Sequence, residues 1–186
     1  MKTQLNNELE LIPDASIRQL AAAVLLAAPD CFWTMPAATT GKYHPQISLG
    51  TGGLVRHTKA VVRLTLHLLN MAGTPEESSD YSLAIAAAIL HDCCKKSDTE
   101  KYTAFDHPTR AAQLIEKTAA TMPPSCLLNP SQLRALCAIV ECHMGRWNVD
   151  LRTGATLPKP LTGLQRLVHT ADYLASRKDV TLADIA

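Results

Sequence analysis

Ile85-Ala86-Ala87-Ala88-Ile89-Leu90-His91-Asp92-Cys93-Cys94-Lys95 is the stretch on which the reading of this chain turns. From Ile85 to Leu90 it is apolar on every side at helical spacing, which predicts the most deeply buried helix of the domain. His91 and Asp92 follow directly. An ionised carboxylate at the end of a buried helix is costly unless a cation or hydrogen-bond donors meet it. Neighbouring residues point about 100° apart on a helix, so His91 and Asp92 converge on one centre only near its end.

Outward from this segment, the apolar pattern repeats with helical period and strong stop signals. Ile17, Leu20, Ala21, Val24, Leu25 and Ala28 predict a first helix that stops at Pro29-Asp30. Cys31 to Gly53, with two prolines, Gly41, Gly50 and a Gly52-Gly53 pair, reads as loop. Leu54 to Gly73 predicts the next helix, and Ser78, Ser79 or Asp80 caps the one that carries His91, expected to run to about Cys94. Pro108 suits the first turn of a helix reaching Thr121, Pro130-Ser131 opens one that runs to His143 before Gly145, and Leu161 to Arg177 forms the last. No stretch alternates as a strand does. The expectation is a single all-α domain of about six main helices over 1–186, with a core at about 42–178 and a helical extension over about 1–30.

A chain of 186 residues is long enough to bury one apolar core without staples. The net charge of +1 excludes the global positive field that long duplex nucleic acid requires. Aromatic residues make up 4%, so stacking surfaces are few, and Trp33 and Trp147 become worth locating. No apolar run reaches membrane-spanning length and the start is polar and acidic, so no membrane association and a cytoplasmic location are expected. The six cysteines form no CxxC and read as reduced, packed thiols.

Position is the informative property of the histidines. His57 opens one helix, His91-Asp92 closes the next, His107 precedes another, His143 closes the fifth and Asp172 lies inside the last. A lone histidine at a helix end is ordinarily a cap or a surface residue. An ordered set of imidazoles and carboxylates instead suits a divalent transition metal, with Mn, Fe, Co, Ni and Zn the candidates.

The order His57, His91-Asp92, His107, His143, Asp172 resembles the ligand order of the HD superfamily of metal-dependent phosphohydrolases. Ile89-Leu90-His91-Asp92-Cys93-Cys94-Lys95 is similar to its LLHDxxK core. Gly52-Gly53-Leu54-Val55-Arg56-His57-Thr58 and Val168-His169-Thr170-Ala171-Asp172-Tyr173-Leu174 resemble the GGLxxHT and HxADxL segments of the HD domain in bacterial 3′-to-5′ exoribonucleases. The resemblance implies that His57, His91, Asp92 and Asp172 bind one metal and that His107 and His143 add a second. The chain departs from the pattern at Cys93-Cys94, where a small pair is usual, and at Cys142, where a second histidine is usual.

Asp92 and Lys95 are the candidate catalytic residues, Lys95 reaching the site from the same helical face as His91. Lys42, His44, Lys95, Arg146 and Trp147 are candidate substrate contacts, and His169, one turn before Asp172, a candidate for orienting it. The function expected is hydrolysis of a phosphate ester or anhydride in a nucleotide or short oligonucleotide by metal-activated water. Two alternatives are a di-iron oxygenase built on the same ligands, acting on a small phosphorylated or polyol substrate, and a noncatalytic nucleotide-binding module.

Overall fold

The computed structural model describes residues 2–38, 44–126 and 128–180. Seven α-helices occur among them: α1 (Asn6–Leu9), α2 (Ala15–Ala27), α3 (Gly53–Met71), α4 (Ser79–Leu90), α5 (His107–Ala119), α6 (Pro130–Glu141) and α7 (Gly163–Ala175). There is no strand among the described residues beyond one antiparallel bridge between Val149 and Thr156. The six longer helices are those expected, and the short α1 adds to the extension.

Local chemistry starts each helix where the sequence punctuates it. Asp14 accepts from the backbone of Ser16 and Ile17 at the head of α2, and Ser78 accepts from Tyr81 at the head of α4. Asn129 with Gln132, and Thr162 with Gln165, form capping boxes on α6 and α7. Gln132 also donates to Ser79 Oγ at 2.9 Å, which ties the start of α6 to that of α4.

Every residue of α4 from Tyr81 to Leu90 is buried. Helices α2, α3, α6 and α7 all pack against it. An all-apolar helix has no face to give to water, so it becomes the axis round which amphipathic neighbours close. Its end therefore opens inside the domain, which is why His91 and Asp92 lie 0% and 2% exposed. No helix among the described residues is long and apolar enough to cross a membrane.

Two expectations on local structure need correction. Helix α4 ends at Leu90, not near Cys94, because Cys93 and Lys95 donate to Leu90 O and Asp92 O in tight turns. The described parts of the stretch from Cys31 to Gly53 are not plain loop: a 3₁₀ turn at Asp30–Trp33 buries Phe32 and Trp33, and one at Gln46–Ser48 buries Ser48.

Candidate metal centre

His57 is placed by the two glycines before it. At Gly53 a Cβ would lie 2.2 Å from Ser48 O, so only glycine lets that loop cross the head of α3, and Gly52 adopts a left-handed φ of 70°. The amides of Gly52 and Leu54 donate to Thr34 O and Met35 O, satisfying helix-start donors. Arg56 clasps the same loop through Ile47 O, Thr51 O and Leu49 O at 2.6, 3.0 and 2.9 Å. The Gly-Gly-Leu-Val-Arg-His segment is thus a backbone lock that sets His57 one turn into α3.

The other imidazoles share one device. Nδ1 of His91, His107 and His143 lies 2.8, 2.8 and 2.7 Å from the carbonyl of Ala88, Ala104 and Val140, in each case three residues earlier. A carbonyl only accepts, so each Nδ1 carries the proton and each neutral ring presents a bare lone pair at Nε2. This is the arrangement that orients metal-binding imidazoles.

Those lone pairs converge on Asp92. Oδ1 is 3.0 Å from His107 Nε2 and 3.6 Å from His143 Nε2. Oδ2 is 3.4 Å from His91 Nε2, 4.0 Å from His57 Nε2 and 2.5 Å from Lys95 Nζ. Asp92 thereby belongs to two buried triads, one with His57 and His91 and one with His107 and His143. Asp172 joins the first through Oδ1, 3.0 Å from His57 Nε2 and 3.7 Å from His91 Nε2.

The residues fit a divalent cation on the structure's own terms. His107 Nε2 and His143 Nε2 face each other at 3.2 Å, two acceptors with no proton left between them when both rings are neutral. His91 Nε2 and Asp92 Oδ1 are buried without a hydrogen-bond partner. Buried acceptors turned onto one another are repulsive unless positive charge lies between them.

The titration behaviour agrees. Burial pushes His57 and His107 below the ordinary histidine value, opposed by Asp172 and Asp92 respectively. Burial also acts on His91, but the charge of Asp92, with Asp172 behind, outweighs it and holds His91 above its ordinary value. Burial alone would raise Asp92; the charge of Lys95, then His91, with His107 and His143 close by, holds it well below the usual carboxylate range. Asp172 is likewise depressed against burial, chiefly by His57. The two carboxylates thus give the floor a negative field, which suits a cation.

A cleft of about 510 Å³ opens above this floor. Asp92, Lys95, His107, His143 and Asp172 reach it from below, and His44, Arg146 and Trp147 line it higher up. His44 stacks edge-on against His57 with ring centres 5.4 Å apart. Burial, then the fields of His57 and Lys95, push it down to about 4. Lys42 lies outside the described residues.

Two site expectations are corrected by these contacts. Lys95 does not reach the site along a continuing helix; the turn after Leu90 brings it back on Asp92 three residues earlier. His169 does not orient Asp172: its Nδ1 donates to His143 O at 2.7 Å, and its ring fills the space where a Cβ of Gly145 would lie 2.1 Å away. Gly145 has a φ of 57°, so His169 and this glycine together hold the turn after His143.

Tyr173, Ser176 and Arg177 also line the cleft and were not among the candidates. Ser176 lies four residues after Asp172, just past the end of α7, where helical spacing brings it near the same face.

A family model described as an HD domain matches residues 54–177, two thirds of the chain. The match runs from the head of α3 to just past α7 and includes His57, His91, Asp92, His107, His143 and Asp172. No curated protein and no solved structure matches the chain.

Proposed function

Because the chain belongs to the HD-domain family, we propose that it is a metal-dependent phosphohydrolase that cleaves a phosphate ester or anhydride of a nucleotide or short oligonucleotide. The carrying observation is the division of Asp92, one oxygen facing His107 and His143 and the other facing His57, His91 and Lys95. A carboxylate shared in this way suits a bridge between two cations.

His57, His91, Asp92 and Asp172 would hold one ion, and His107 and His143 with the other oxygen of Asp92 a second. Divalent metal bound by these donors supplies Lewis acidity for the phosphoryl group and a lower pKa for water. The chain's own residues do the rest. Lys95 offers a cation beside Asp92 to a phosphate oxygen, while the buried floor keeps bulk water from the reacting centre and so strengthens each charge. The three carbonyl clamps hold the imidazoles ready, so little reorganisation accompanies binding.

The test is purified protein loaded with Mn, Ni or Co and offered a panel of nucleotides and dinucleotides. Release of phosphate or nucleoside, independent of oxygen and absent in Asp92→Ala, is expected. No release with any metal overturns the proposal, and turnover only with iron and oxygen redirects it to an oxygenase.

A further inference from the structure

The upper wall of the cleft has a chemistry that hydrolysis at the floor does not use. Trp147, 46% exposed, stacks on Tyr173 with ring centres 5.5 Å apart and planes 30° apart. The Arg146 guanidinium lies 4.4 Å from the indole centre and 5.7 Å from the Tyr173 ring. Among the described residues Arg146 has no carboxylate within ion-pair distance, whereas Arg177, 5.7 Å from the same Tyr173 ring, is engaged by Asp179 at 3.0 Å. Among the described residues Arg146 is therefore a cation displayed on an aromatic face with no carboxylate to satisfy it. Between wall and floor lies His44, whose Nε2 is 3.3 Å from Ser176 Oγ and whose buried Nδ1 has no hydrogen-bond partner among the described residues.

We propose that this wall is a second subsite, specific for a nucleobase and for a phosphate other than the one that is cleaved. The inference rests on the phosphohydrolase reading and names its substrate class: a nucleoside carrying two separate phosphates, either a nucleoside bisphosphate or the terminal unit of a short oligonucleotide. The reacting phosphate lies at the histidine–aspartate floor beside Lys95, the base against Trp147 and Tyr173, and the second phosphate at Arg146. Lys95 already serves the floor, being bound to Asp92 Oδ2, so Arg146 is not needed there. A planar base prefers an aromatic face, and a guanidinium beside it suits a phosphate through paired N–H donors. His44 lines the cleft between the two, where the sugar would lie.

The test compares three probes on the whole chain: ribose 5-phosphate, adenosine 5′-monophosphate and adenosine 3′,5′-bisphosphate. Quenching of Trp147 fluorescence gives affinities for the two nucleotides in metal-free protein, with Trp147→Phe as the signal control, and kcat/KM is read for all three with Mn. The bisphosphate should bind about 10-fold more tightly than the monophosphate, the worth of one charge-assisted contact. Arg146→Gln should erase that difference and leave the monophosphate unchanged, and ribose 5-phosphate should be the poorest substrate. Equal affinities, no quenching at millimolar nucleotide, or an equal loss for both nucleotides in Arg146→Gln overturns the subsite. Hydrolysis without the bisphosphate preference would sink the subsite and leave the phosphohydrolase reading intact. The preference in binding without turnover by any metal would do the reverse.

Discussion

On the floor of the cleft, His91, Asp92, His107 and His143 are each 3% exposed or less, and all three imidazoles are clamped by a carbonyl three residues earlier. On the wall, Trp147 is 46% exposed, and its indole meets Arg146 and Tyr173 through ring contacts. Burial makes each floor group depend on its neighbours, because a charge or lone pair without a partner has no water to fall back on. An exposed wall residue has that refuge. Substitutions on the floor should therefore change chemistry and metal content, and those on the wall should change substrate preference with little effect on folding.

The strongest test of this contrast is Asp92→Asn, which keeps the shape but removes the charge that both triads share. Activity should fall by about 10³-fold or more, the scale of losing a preorganised charged group at the reacting centre. Bound metal, measured by elemental analysis after desalting, should fall with it. Retained metal with lost activity would break the claim that Asp92 organises the floor.

Next comes the support beneath the floor. Gly145→Ala demands a left-handed backbone of a residue that disfavours it and drives a methyl into the His169 ring. His169→Ala removes the donor to His143 O. Each should lower metal affinity and kcat/KM by about 10- to 100-fold, as loss of groups that orient ligands does. Gly145→Ala should in addition lower the melting temperature by several degrees.

How far these residues were legible in the sequence follows the same division. The floor was readable because burying His91-Asp92 behind Ile85 to Leu90 is costly, and cost leaves a pattern: helix, charge pair, punctuation. The helices were readable from period and caps. Lys95 was found as a residue but not by its route, since the end of α4 depends on turns that bring the backbone back on itself. The partner of His169 was not readable, because it depends on the left-handed turn at Gly145 meeting a helix that begins 18 residues later. Tyr173 and Arg177 carry no periodic signal of their own; a half-buried aromatic acquires meaning only when another segment supplies the ring it stacks on.

The two tryptophans put wall and core side by side. Trp33 is 2% exposed in the 3₁₀ turn, whereas Trp147 lies open on the cleft. Trp33→Ala should cost about 3–5 kcal/mol of stability, as large-to-small changes in a packed core do. Trp147→Ala should leave stability within about 0.5 kcal/mol, in line with other surface changes. It should instead raise KM about 10-fold for base-bearing substrates and leave ribose 5-phosphate unaffected. Urea unfolding and steady-state kinetics on both variants separate the outcomes.

The smallest effect concerns acid. His44, His57 and His107 are held below the ordinary value of 6.5, with His44 at about 4. In that window the unfolded chain binds protons that these buried rings refuse, so stability of the metal-free protein rises with pH between about 4 and 6.5. His91 is raised and acts in the opposite sense: its stabilising proton is fully present below 6.5 and is lost as pH climbs through its folded value. Below 6.5 His91 therefore adds no slope, the three depressed groups set the sign, and thermal melts of chelator-treated protein from pH 4.5 to 6.5 should climb by a few degrees. His44→Asn should flatten that slope by at most about one proton. It should not change the metal content at neutral pH, because His44 belongs to the wall side of the comparison although it touches His57. A loss of metal in that variant would move His44 onto the floor.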